Sequence, residues 1–148
     1  MKAQALFQEA DRARIRLAVT QAELATSGEI RVFMEDECKD NVLDRAAFIF
    51  AQLEMNKTEL RSGVLIYLAV DDRKFCIIGD AGIHQKVGNN FWEEITTEMG
   101  VFFKSNLFVD GIEYAVRKVG EQLSAHFPFH KDDVNELPND IVFGGGES

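Results

Sequence analysis

Apolar positions recur along the chain with two different periods, which predict a helix followed by a strand. Over residues 7–25, small and apolar side chains return every three or four positions, so they share one face of a helix. Residues 29–34 then begin by alternating polar and apolar side chains, as a strand does. The chain therefore opens with a helix that leads into the first strand of a sheet.

The longest apolar stretch lies in the middle of the chain and predicts two core strands joined by a hairpin. Residues 64–70 are apolar at every position, which indicates a central strand covered on both faces. Charged residues follow at positions 71–74, and the strand predicted at 74–78 pairs back against the preceding one. This pair is antiparallel.

A helix predicted between the first two strands makes those strands parallel. One helical face is shared by Leu43, Ala46, Ala47, Phe50 and Leu53, and Asp40 or Asn41 precedes them as a cap. A strand, a helix and a second strand form a right-handed parallel unit. Further helices follow Gly82 and cover the sheet. The fold class is therefore α/β, with a mixed sheet.

The end of the chain has a different character from the rest. Residues 1–127 are predicted to form one domain, and residues 128–148 a C-terminal extension. Within the extension, residues 140–143 are a short strand candidate that either joins an edge of the sheet or is disordered. The glycines at 144–146 predict a flexible end.

The composition limits the kinds of binding partner and the cellular compartment that are expected for this chain. The chain has 148 residues, 46% of them hydrophobic, and a formal charge of −9, which suits one domain with a single core. Negative charge opposes binding to nucleic acid and anionic lipid, and no apolar run is long enough to cross a membrane. No secretory signal is visible, and neither Cys38 nor Cys76 requires a disulfide, so a cytoplasmic location is expected.

The predicted strand directions place acidic residues at two edges of the sheet. Asp80 ends the third strand, which returns to the edge where the first strand begins with Glu29. Asp71 and Asp72 lie at the opposite edge, beside the acidic segment 35–44 that follows the first strand. Two acidic clusters are expected from this topology.

Each candidate carboxylate also has a structural interpretation. Asp80 is placed to cap the helix that follows it. Asp110 with Glu113 forms the pattern of a capping box. Asp71 and Asp72 are typical turn residues, whose side chains bond nearby backbone groups.

Several short motifs occur in a characteristic order. They are Thr26-Ser27-Gly28-Glu29-Ile30, then Arg73 ahead of Phe75, Ile77, Gly79 and Gly82, and then Phe103 ahead of Asp110-Gly111-Ile112. This order resembles the TPM domain family over residues 18–127. The resemblance implies a three-layer α/β/α sandwich with a small mixed central sheet of three to four strands. The chain lacks the long tail of fuller members, so a soluble, stand-alone bacterial protein is expected.

The resemblance also implies binding of a divalent cation where loops approach each other. Calcium and magnesium take oxygen ligands, which an acidic chain with only 3 histidines supplies. The predicted cofactor is Ca²⁺ or Mg²⁺, in a regulatory or protein-interaction module with metal-ordered loops. The predicted ligands are Asp80, Asp110, Glu29, Asp71 and Asp72.

The sequence is also compatible with two other functions. A branch of the family is associated with acid phosphatase activity, and a metal together with Asp80 and neighbouring carboxylates would supply that chemistry. The sequence offers no dedicated nucleophile, so the catalytic residues stay unknown. The second alternative is an acidic scaffold for a basic protein partner.

Overall fold

The computed structural model describes residues 7–129 and 141–144. These residues form four α-helices, one 3₁₀-helix and four strands. In chain order they are α1 (Glu9–Glu23), β1 (Glu29–Glu35), α2 (Val42–Gln52), the 3₁₀-helix (Met55–Lys57), β2 (Gly63–Ala69), β3 (Lys74–Gly79), α3 (Ala81–Lys104), α4 (Phe108–His126) and β4 (Val142–Phe143).

The sheet has the mixed pairing that the sequence predicts. Its strand order is β3-β2-β1-β4. β1 and β2 are parallel, in register from Glu29 opposite Gly63 to Glu35 opposite Ala69. β3 returns antiparallel to β2 and ends with Gly79 opposite Val64. The predicted parallel unit and hairpin are both confirmed.

Helices cover both faces of the sheet, which confirms the three-layer α/β/α arrangement. Every residue of β2 is buried, because α1, α3 and α4 pack on one face and α2 with the 3₁₀-helix on the other. Ile30 and Val32 of β1 belong to the first core, whereas Phe33 belongs to the second. A strand buried on both faces has no polar side, which explains the uniform apolar run in β2.

Local signals set the beginning of α2 and divide α3. The Asn41 side chain accepts hydrogen bonds from the backbone N–H groups of Leu43 and Asp44, so Asn41 is the cap. The predicted apolar face of α2 is confirmed at Ala46 and Phe50 but wrong at Leu43 and Ala47, which are exposed, because the buried face turns towards Ile49. α3 is interrupted at Gly88, whose φ of 77° favours glycine.

Part of the C-terminal extension joins the sheet. Val142 and Phe143 pair in parallel with Phe33 and Met34, which places β4 at the free edge of β1. Asp140 and the glycines at 145 and 146 lie outside the described residues, as does the rest of 130–140 and 145–148.

Among the residues that are described, no helix is both long and apolar enough to cross a membrane.

Two helical glycines offer a matched test of the packing. A Cβ at Gly111 in α4 would lie 2.6 Å from Phe103 Cε1, whereas a Cβ at Gly100 in α3 would lie 3.5 Å from Phe75 Cζ, an ordinary contact. Alanine is favoured over glycine in a helix by about 0.5–1 kcal/mol. We expect Gly100→Ala to raise the free energy of unfolding by about that amount and Gly111→Ala to lower it, because the latter overpacks the core. Urea denaturation of both variants measures this, and equal effects would contradict the packing.

Candidate functional site

Acidic residues lie at both edges of the sheet, where strands begin or end. We call the edge where β1 and β2 begin and β3 ends the amino edge. We call the edge where β1 and β2 end and β3 begins the carboxyl edge. Asp80 and Glu29 lie at the amino edge, and Asp71 and Asp72 lie at the carboxyl edge.

At the amino edge, Asp80 holds an arginine and caps a helix. Arg61 donates to both carboxylate oxygens of Asp80, with Nε–Oδ2 and Nη2–Oδ1 distances of 2.7 and 2.8 Å. Asp80 Oδ1 also accepts a hydrogen bond from the Ala81 N–H at 2.8 Å, so the predicted capping role is confirmed. Asp80 is only 6% exposed, and a bidentate arginine is the strongest form of such a pair. Its oxygens are therefore already engaged.

Beside this pair, two glutamates meet with little solvent around them. Glu23 is the last residue of α1, Glu29 is the first residue of β1, and their carboxyl groups are close enough to influence each other's charge. Burial and the neighbouring Glu29 together raise the pKa of Glu23 to about 8, even though Glu23 also accepts a hydrogen bond from the Ile30 N–H at 2.8 Å. Glu23 therefore carries a proton at neutral pH beside Glu29.

Some buried side-chain atoms in this part of the chain have no hydrogen-bond partner among the described residues. Glu23 Oε1 is buried and has no hydrogen-bond partner among the described residues. Arg31 lies two positions after Glu29, on the same face of β1, and its buried Nε is likewise unpartnered within the described part of the chain. Burial lowers the pKa of Arg31. Buried polar atoms without partners are uncommon and often mark a place where water or an ion binds.

At the carboxyl edge, the last residue of β1 is neutralised inside the fold. Glu35 is 4% exposed and accepts two hydrogen bonds from Arg45 of α2, at 2.9 and 2.8 Å. The Tyr67 hydroxyl of β2 donates to the same carboxylate. Hydrogen bonding to Glu35 raises the pKa of Arg45, and burial and Glu35 raise the pKa of Tyr67. This Glu35–Arg45–Tyr67 triad links α2 to both central strands.

The predicted acidic loop at the carboxyl edge is joined to the hairpin by hydrogen bonds. Asp72 Oδ2 accepts from the Cys38 N–H at 2.7 Å, and the Asp71 N–H donates to the Asp36 carbonyl at 2.8 Å. Lys74 donates from Nζ to the Cys38 carbonyl at 2.9 Å. The role of Asp72 is thus that of a turn residue that holds the loop.

Asp110 lies apart from both edge clusters. Arg14 of α1 donates to Asp110 at 3.0 Å and to Glu113 at 2.5 Å, which raises the pKa of Arg14. The predicted capping box is wrong, because α4 begins at Phe108 and its N-terminal cap position is Leu107. Both acidic side chains bind α1 instead.

The five predicted ligands therefore occupy separate surroundings. Asp80 binds Arg61, Glu29 lies beside Glu23, and Asp110 binds Arg14. Asp71 and Asp72 are held to the loop 35–44 by backbone hydrogen bonds. In the described part of the chain, no group of three or more His, Cys, Asp or Glu side chains is placed to hold a metal ion. Metal ligation by these residues stays a prediction.

Half-buried Glu23 and buried Glu35 are the acids that sequence reasoning missed. Glu23 was hidden because it falls within the helical pattern of α1, and Glu35 because it falls within the acidic segment 35–44. One signal was available: Glu29 and Glu35 are the two ends of a strand whose interior is apolar at four of five positions. Carboxylates at the ends of such a buried strand are themselves expected to be buried, and they then need a neutralising partner.

Comparisons with known proteins agree with this fold. The family model described as the TPM domain matches residues 1–122. The NMR structure of the BA42 protein from the psychrophilic bacterium Bizionia argentinensis is 40% identical, with a TM-score of 0.87, covering 93% of this chain and 95% of that one. The N-terminal domain of a P. gingivalis protein, 17% identical, has a TM-score of 0.70 and covers 84% of this chain and 83% of its own, so it supports the fold alone. Curated protein sequences give no match.

The Glu35–Arg45–Tyr67 triad can be tested by removing its cation. Arg45→Met leaves Glu35 charged and buried, so we expect a loss of about 2–3 kcal/mol in the free energy of unfolding, less than for a fully buried pair because Arg45 is partly exposed. Lys57→Met is the control, since Lys57 and Glu54 form an exposed pair, and it should change stability by about 0.5 kcal/mol or less. Urea denaturation measures both. Similar losses in the two variants would contradict a buried role for the triad.

The proton on Glu23 predicts a pH dependence of stability. The pKa of Glu23 is higher in the folded chain, about 8, than its ordinary value of 4.5, so the folded state binds more protons between these pH values. Stability from this group is therefore complete below pH 4.5 and falls as pH rises towards 8.

Glu23→Gln removes this dependence because the amide cannot ionise. We expect the variant to be more stable than the parent near pH 8 and similar to it near pH 4.5. Glu98→Gln, an exposed glutamate on α3, is the control and should keep the parent slope. Urea denaturation across this pH range measures the effect, and equal slopes in all three proteins would show that Glu23 does not carry the proton.

Proposed function

The chain belongs to the TPM domain family, and from that premise we propose that it is a divalent-cation-binding module whose ion lies between Glu23 and Glu29. The observation that carries the proposal is a pair of carboxyl groups, buried Glu29 and half-buried Glu23, in which the buried Glu23 Oε1 has no partner among the described residues. Two adjacent carboxylates repel each other unless a proton or a cation lies between them. A divalent cation takes the place of the proton on Glu23.

The donor set suits a hard cation. Glu23 and Glu29 supply carboxylate oxygens, which are the usual ligands of Ca²⁺ and Mg²⁺. Both ions also accept backbone carbonyls and water, so two carboxylates are sufficient protein charge for one ion. Since ligands must be deprotonated, ion binding releases the proton of Glu23 and strengthens as pH rises towards 8.

Asp80 is the nearest further candidate for a ligand. Its N–H donates to the Gly63 carbonyl at 2.9 Å, and Gly63 lies opposite Glu29 in the sheet. Arg61 already supplies positive charge to Asp80, but the Arg61 side chain is 52% exposed and is free to turn outward. Ligation by Asp80 therefore requires the ion to compete with Arg61.

An ion at the amino edge joins elements that are distant in sequence. Glu23 ends α1 and Glu29 begins β1, so the ion orders the connection between the first helix and the sheet. Asp71, Asp72 and Asp110 have no part in this site, because they bind the loop 35–44 or α1. The regulatory or protein-interaction role proposed for the module acts through this ordering.

The phosphatase alternative receives less support from the side chains. Asp80, the acid assigned to it, has both oxygens bonded to Arg61 and is not positioned to transfer a proton. Cys76 is buried, which raises its pKa to about 12 and makes its thiol unreactive. Turnover of an aryl phosphate that requires metal and is lost in Asp80→Asn would favour the enzyme over the binding module.

The acidic-scaffold alternative differs in its dependence on metal. A basic partner recovered equally well with and without chelator would favour a scaffold over a cation-dependent module. Recovery that requires Ca²⁺ or Mg²⁺ would favour the module.

Titration calorimetry and thermal denaturation test the proposed ion site. Near pH 8, Ca²⁺ or Mg²⁺ at ten times its Kd should raise the free energy of unfolding by about 1.4 kcal/mol, and the effect should weaken towards pH 4.5. Binding heat should depend on the buffer, because a proton is released.

Variants separate this site from the other acidic residues. Glu23→Gln and Glu29→Gln should abolish the stabilisation, whereas Asp110→Asn, which removes an acid outside the site, should keep it. No binding heat and no thermal shift at millimolar ion would reject the proposal, as would an equal response in all three variants.

A further inference from the structure

A cavity of about 350 Å³ lies on the helix-covered side of the carboxyl edge, away from Glu23 and Glu29. It is enclosed by the beginning of β3, the end of α3 and the beginning of α4. Its walls are aromatic: Phe75 meets Phe103 edge-on at 4.8 Å, and Phe103 stacks with Phe108 at 5.5 Å. The volume is within the range of sites that bind small molecules.

The rim of this cavity carries two positive charges in an otherwise acidic protein. Arg73, at the end of the hairpin turn, and Lys104, at the end of α3, both line the cavity and are exposed. Within residues 7–129 and 141–144, neither side chain forms an ion pair or a hydrogen bond. By contrast, Arg14, Arg45 and Arg61 each bind a carboxylate. The cavity therefore presents cations that no residue of the described ranges neutralises, in a chain whose formal charge is −9.

At two positions beside the cavity, the residue type is not the one that the local backbone conformation favours. Gly100 lies inside α3, where alanine is more stable, and nothing crowds it, since an added Cβ would lie 3.5 Å from Phe75. A larger side chain at this position would enter the cavity. Arg73 has a φ of 53°, in the left-handed region that glycine and asparagine adopt more readily. Departures of this kind tend to occur where a site is built.

We propose that this cavity binds a small amphipathic carboxylate, with its apolar body among Phe75, Phe103 and Phe108 and its carboxylate between Arg73 and Lys104. The aromatic walls select a flat or short apolar body, because burial of that surface is favourable. The guanidinium and ammonium groups select the negative head, and Arg73 is able to bind it through two parallel hydrogen bonds. Because residue 100 is glycine, no side chain occupies the space that the apolar body of the ligand would fill.

NMR titration of the full chain with 1-naphthoate tests this proposal. We expect saturable shifts confined to the backbone amides around Arg73, Phe75, Gly100 and Phe103. Naphthalene-1-methanol has the same rings without the charge, and acetate has the charge without the rings. Each should bind at least about tenfold more weakly than naphthoate, because each lacks one half of the recognition.

Variants assign the binding to the two features of the cavity. Arg73→Asn removes the charge but tolerates the left-handed backbone, so it should weaken binding about tenfold without lowering the melting temperature. Lys104→Gln should weaken binding in the same direction. Gly100→Leu should abolish binding by filling the cavity, and Gly100→Ala provides a milder version that keeps the helix stable. Lys86→Gln, an exposed lysine elsewhere on α3, is the control and should bind as the parent does.

Three results would overturn the proposal. They are the absence of saturable shifts at millimolar naphthoate, shifts that centre on residues outside the cavity, and equal affinity in Arg73→Asn, Lys104→Gln and the parent. The test is independent of the ion site, because Glu23→Gln should bind naphthoate normally. Loss of Ca²⁺ binding with naphthoate binding intact therefore bears on the ion site alone.

Discussion

The parallel pairing of β1 with β2 is the constraint on which the other elements depend. Seven residues of each strand are in register, and both faces of β2 are buried. Because parallel strands need a crossover, α2 must cross one face, and the remaining helices then cover the other. The same pairing places Glu29 and Glu35 at opposite ends of a strand inside the protein. The presence of an acidic residue at each edge of the sheet follows directly from this pairing.

A buried carboxylate is neutralised in a different way at each of these two edges. Glu35 has a protein cation, since Arg45 and Tyr67 saturate it. Glu29 instead meets another acid, Glu23, whose raised pKa of about 8 keeps it protonated at neutral pH. The carboxylate at one edge is therefore neutralised by a protein cation, whereas stability at the other edge depends on pH.

Much of the architecture could be predicted because its signals are local. The uniform apolar run of β2, the charged turn before β3 and the Asn41 cap each depend on a few neighbouring residues. The exposed Leu43 shows where such reasoning fails, since the face that a helix buries depends on the sheet beneath it. The topology also placed Asp80 and Glu29 at one edge correctly, but without their partners.

The sequence by itself determined the strand order along the chain, the mixed sheet and the edge at which each acid lies. These follow from periodicity and from strand direction, which are properties of adjacent residues. Only the tertiary structure decided that Asp80 binds Arg61, that Asp110 binds Arg14 and that Glu29 meets Glu23. It also decided that Arg73 and Lys104 share the rim of an aromatic cavity. The physical reason is that the state of a charged group depends on what lies within a few ångströms of it, and those neighbours come from distant parts of the chain.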